Sequence, residues 1–123
     1  MTAEGLLCRI YLGWKRNQPP LGEGVAWLLE REPPDADRPN IYYWYYAAQT
    51  MRHFGGTSWN QWNLKMRDVL VTTQETRGHA AGSWTPAGPL TAQGGRLYMT
   101  SLAVCCLEVY YRHLPLFRQI ELR

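Results

Sequence analysis

Two stretches of this chain are apolar on every helical face. One is Ile41-Tyr-Tyr-Trp-Tyr-Tyr-Ala-Ala48 and the other is Leu102-Ala-Val-Cys-Cys-Leu107. Neither alternates as a half-buried strand does, so β and α/β readings find no support. A helix that is apolar all round is stable only when neighbours cover every side of it. Both segments are therefore expected to be inner helices, and the rest of the chain must sheathe them.

The remaining elements fall into place around them. Leu6, Leu7, Ile10, Tyr11 and Trp14 share one face of a first helix over about 2–15. Pro19-Pro20 separates it from a second helix over about 22–31, which carries Val25, Trp27, Leu28 and Leu29. Pro33, Pro34 and Pro39 make 33–39 a loop, because proline inside a helix removes a donor and clashes with the preceding turn. Asn40 caps a third helix over about 41–53, which ends at Phe54-Gly55-Gly56. A fourth helix starts at Thr57 or Ser58 and runs to about Gln74. Its stripe of Trp59, Trp62, Met66, Val69, Leu70 and Thr73 lies opposite the polar Asn60, Lys65, Arg67 and Asp68. The fifth covers about 96–113 and stops before Pro115.

The second and fourth helices have polar faces and are expected to be outer. The order inner, outer, inner, outer, inner describes an all-α array of αα-hairpins. Residues 1–123 form one domain of about two and a half hairpins, with a Gly-rich insertion at 78–95. Small residues recur in the inner helices: Ala3 and Gly5, Ala47 and Ala48, Ser101 and Ala103. They let neighbouring inner helices approach closely.

Composition removes several function classes. The net charge of +3 is spread over scattered Lys and Arg, without the clustered patch that nucleic acid requires. No apolar run reaches the ~20 residues of a membrane span. Cys8, Cys105 and Cys106 are odd in number and include no CxxC pair, which suits free thiols in a reducing compartment. The chain is thus expected to be soluble and cytoplasmic.

Between the fourth and fifth helices lies a joint. Leu70-Val-Thr-Thr-Gln74 ends one helix, Gly78-His-Ala-Ala-Gly82-Ser-Trp84 makes a Gly-rich turn, and Gly94-Gly-Arg-Leu-Tyr98 opens the next. This joint resembles the QW-type repeat of squalene and terpenoid cyclases and the related repeat of protein prenyltransferases. The likeness extends over Met1-Thr-Ala-Glu-Gly-Leu-Leu-Cys8, Tyr11-Leu-Gly-Trp14, Tyr42 to Gln49, Trp59-x-x-Trp62, Met66-Arg-Asp68 and Leu107-Glu-Val-Tyr110-Tyr111-Arg. These look like the terminal repeats of large bacterial proteins with prenyltransferase/squalene-oxidase repeats. The resemblance implies an α/α toroid, present here only in part. It also implies that Gln74, Gly82 and Trp84 form a structural motif, in which the Gln side chain ties an outer helix end to the start of a neighbouring helix.

Enzymatic chemistry finds little purchase. The resemblance would require an Asp-rich general-acid motif, and the nearest approach is Asp35-Ala-Asp37 in the proline-rich loop, where a carboxylate should be solvated. No histidine or cysteine spacing suits zinc, and no cofactor is expected. His53 and His113 end helices, where a cation suits the dipole. Tyr42, Tyr43, Trp44, Tyr45, Tyr46 and Tyr98 are candidates to line an apolar cavity. Glu108 and Arg112, one turn apart in an apolar helix, are candidates for a buried ion pair.

The expected function is a non-catalytic repeat module that scaffolds or binds a protein partner and self-associates as a homodimer. The alternative is a degenerate terpenoid-cyclase-like domain that holds an isoprenoid or other lipid among its aromatics. A third expectation is a piece of a longer repeat array.

Overall fold

Proline and glycine set the boundaries of the helices. In the computed structural model, residues 1–113 are described, and they form α1 Thr2–Tyr11, α2 Pro19–Arg31, α3 Ile41–Phe54, α4 Gly56–Thr73 and α5 Thr91–Arg112. One 3-10 turn, Gly78–Ala80, lies between α4 and α5. No strand occurs among the described residues, so the class is all-α. The expected stop at Pro115 falls outside the described residues.

Pro19 and Pro20 open α2 instead of preceding it. The first helical positions have no intrahelical acceptor for their N–H groups, so proline loses nothing there. α1 ends at Tyr11, earlier than expected, because the chain reverses through Gly13 at φ 99°. Trp14 N–H then donates back to Arg9 O at 2.9 Å, and the Arg9 guanidinium lies 5.0 Å from the Trp14 ring. The Asn40 side chain caps α3 by accepting from Tyr43 N–H at 3.1 Å. α5 starts before Arg96, but Gly95, at φ 66° and ψ −161°, kinks it there.

The packing forms two layers. α3 is central, with α1 on one side and α5 on the other; α4 packs across it, and α2 touches α1, α4 and α3. Ala47 and Ala48 of α3, Ala3 of α1 and Ala103 of α5 are completely buried in this layer. Thr50 Oγ1 donates to Ala3 O at 3.2 Å across the α1–α3 seam. Trp44, Trp62, Met51, Met66, Leu21 and Leu28 fill the space between the layers.

α5 departs from expectation. Its broad contact is with α3 alone, and its opposite face is open, with Leu97 79% and Tyr111 85% exposed. It is the last helix of its layer, and nothing among the described residues lies beyond it. Among the described residues, then, α3 is sheathed and α5 is not.

Candidate functional site

The joint after α4 is built around Trp84. Its indole N–H donates to Leu70 O at 2.8 Å in the last turns of α4, and its backbone N–H donates to Thr100 Oγ1 at 3.2 Å in α5. Gln74 does not accept from a neighbouring helix, as the resemblance implies. Its amide donates to Gly82 O at 3.0 Å, inside the joint. The reason is local: backbone bonds between Glu75 and both Gly82 and Ser83 close the turn and bring the Gly82 carbonyl to Gln74. Arg96 clasps the same loop, donating to Ser83 Oγ at 2.9 Å and Thr85 Oγ1 at 3.3 Å. Gln74, Gly82 and Trp84 thus meet in one structural element that holds α4 to α5.

The aromatic run does not gather on one cavity. Tyr43 and Trp44 line a groove of about 700 Å³, while Tyr42, Tyr45, Tyr46 and Tyr98 lie outside it. Tyr46 instead meets Tyr42, one turn back on the same helical face, and its neighbour Tyr45, both edge-on at 5.1 Å. The groove sits where α1 and α3 begin and α2 ends. Trp27 and Glu32 come from the end of α2, Asp35, Asp37 and Arg38 from the loop, and Gly88 and Pro89 from the approach to α5.

Its walls are tied by hydrogen bonds and a close backbone approach. Tyr43 Oη donates to Glu32 O at 2.9 Å, and burial pushes this phenol up, so it stays a donor. Asp35 accepts from Asp37 N–H at 2.9 Å and from Arg38 Nε at 3.2 Å. The backbone bond first, then the Arg38 bond, hold its carboxyl below the usual carboxylate range. A general acid needs the opposite shift. Gly88, at φ 87°, lies so close to Pro39 that a Cβ there would run into the Pro39 carbonyl. Gly88→Ala is expected to destabilise the fold by about 1–3 kcal/mol, read by urea unfolding, since it strains φ and opens this seam.

At the other end of the inner layer the helix C-termini converge. His53 of α3 is buried and its Nε2 lies 3.2 Å from Tyr11 Oη of α1; its ring meets that of His113, after α5, at 5.7 Å. Burial first, then the neighbouring His113 and Arg52, push His53 down to about 4. His53 is therefore neutral, and the expected cationic role at the helix end is overturned by burial. Arg52 fills that role for α5, donating to His113 O at 3.0 Å and Tyr110 O at 3.2 Å. Its guanidinium lies 4.6 Å from the Tyr110 ring and 5.5 Å from that of Trp59. Helical periodicity alone does not single out Arg52.

Glu108 and Arg112 do pair, at 3.5 Å, but at the surface. The expected buried pair is corrected by the open face of α5, and an exposed pair of this kind contributes about 0–1 kcal/mol. Cys8, Cys105 and Cys106 are free thiols, and burial pushes the Cys106 thiol up. Among the described residues no group of three His, Cys, Asp or Glu side chains converges as a metal site. No helix there is long and apolar enough to cross a membrane.

No protein-family model matches the chain, and no curated protein or solved structure shows significant similarity to it.

Proposed function

We propose that this chain is a non-catalytic helical repeat module, of the partial-toroid type found in prenyltransferase/squalene-oxidase repeats, that scaffolds by binding a second copy of itself. The observation that carries this reading is the open face of α5. Leu97, Val104 and Tyr111 are exposed on it, evenly spaced at seven residues (104 − 97 and 111 − 104). Among the described residues of the same layer α3 is covered on both flanks, whereas α5 is covered on one. Repeat arrays need a cap or a further repeat at such an end.

The stripe is also symmetric about Val104. An antiparallel second α5 crossing there sets Leu97 against the partner's Tyr111 and repeats that contact across the two-fold axis. The stripe spans about 21 Å of helix, at 1.5 Å per residue. It offers about half of the ~800 Å² per partner of a standard interface, so the dimer should be weak and concentration-dependent. The ionised Asp35, held opposite to the direction of a general acid, further supports a module without catalysis. The isoprenoid-cavity reading has less behind it, because only Tyr43 and Trp44 of the aromatic run reach the groove.

Sedimentation velocity tests the proposal. A dimer fraction that rises through the micromolar range is expected, and Val104→Glu should abolish it while leaving the helical circular dichroism intact. A wild-type chain that stays monomeric at every concentration would reject the α5 interface.

A further inference from the structure

We infer that the groove between Trp27, Glu32, Asp37 and Tyr43 binds a small organic cation, an alkylammonium with an apolar body. The space is about 700 Å³, within the range of about 300–1,000 Å³ that small-molecule sites occupy. It is preformed: prolines 33, 39 and 89 stiffen its edges, Tyr43 is tied to Glu32 O, and Gly88 locks one loop against the other. A site that is already ordered spends little of its binding free energy on ordering itself.

Charge decides the sign of the ligand. Among the described residues the cations lining the groove are already matched, Arg38 with Asp35 at 3.2 Å and the Met1 amino group with Glu4 at 3.0 Å. The anions are not all matched. Glu32 and Asp37 line the groove, and their carboxylates have neither a hydrogen bond nor an ion pair among the described residues. The helix N-termini offer no competing anion site, since Asn40 caps α3 and Glu4 stands in the first turn of α1. Trp27, 45% exposed, lines the groove, and an indole is the ring that best attracts an ammonium leaving water. Aromatic wall and unmatched carboxylates thus face one preformed space, and both favour positive charge.

The probe is choline, compared with its uncharged carbon isostere dimethylbutanol, each followed by NMR at the Trp27 indole and Gly88 amide resonances. Saturable shifts with choline are expected, with the neutral alcohol binding about tenfold or more weakly. Trp27→Leu and the double variant Glu32→Gln/Asp37→Asn should each weaken choline binding several-fold, with circular dichroism unchanged. Val104→Glu should bind choline like the wild type, which separates this site from the α5 interface. The inference falls if choline produces no saturable shift, if dimethylbutanol binds equally well, or if the folded double variant binds undiminished. It also falls if a short peptide carrying trimethyllysine binds about tenfold more tightly than choline, because the occupant is then a protein.

Discussion

Replacing Trp84 by alanine should lower stability by about 3–5 kcal/mol, the range for deleting a large buried aromatic side chain. Trp84 is buried where α4, the joint and α5 meet, so truncating it leaves a large void among three elements. The substitution also leaves Leu70 O without the indole donor, an unsatisfied acceptor that adds about 1 kcal/mol. Domains of this size have about 5–15 kcal/mol in total, so a sizeable unfolded fraction is expected at modest urea. Trp84→Phe keeps most of the volume and loses the bond, and should cost about 1–2 kcal/mol. Gln74→Ala removes one exposed bond within the turn and should cost less than about 1 kcal/mol. Urea unfolding of the three variants ranks them. If Gln74→Ala matched Trp84→Ala, the joint would depend on its glutamine, and Trp84 would not be the residue that holds α4 to α5.

That ranking bears on what a linear sequence discloses. Helical periodicity identifies five helices and the core stripe of α4, because Trp59, Trp62, Met66 and Leu70 fall on one face whatever their partners are. Asn40 is legible as a cap since its bond reaches only to Tyr43. Pro19-Pro20 misleads because proline, a separator elsewhere, also suits a first helical turn. Other features depend on residues far apart in the chain. Arg52 meets carbonyls 58 and 61 positions later, so no local motif marks it. The groove collects side chains from the end of α2, a loop, two helix starts and the approach to α5, and no spacing rule joins them. Periodicity can show that the 102–107 stretch of α5 is apolar all round, but not that α5 is the last helix of its layer among the described residues. Coverage is a property of neighbours, and the open side appears only once α3 is seen to be its one broad contact.

The neutral state of His53 leads to a pH dependence whose sign is opposite to that of a histidine capping a helix as a cation. Among the described residues the groups facing it include Tyr11 from α1, His113 after α5 and Arg52 on α3, and these three carry no negative charge in the neutral range. The unfolded chain protonates this histidine near its ordinary value of about 6.5, whereas the folded chain does so only at about 4. Between those values the unfolded state binds more protons, so lowering the pH favours it. The stabilisation is complete above about pH 6.5 and declines by about 1.4 kcal/mol per pH unit on acidification, approaching a loss of ~3 kcal/mol near pH 4. His113, pushed down by partial burial and then by Arg112 and Arg52, acts in the same direction. Carboxylates such as Asp35, whose folded values are lowered, add their own loss only below the ordinary carboxylate range. The window from pH 7 to 5 therefore reports on the histidines, and urea midpoints across it should fall steadily. His53→Phe keeps an aromatic ring in the same buried space and removes the proton site, so its midpoint should be much flatter over that window. A wild-type midpoint that is level from pH 7 to 5 would mean that His53 accepts its proton within the fold, and that the junction of α1, α3 and α5 tolerates a charge.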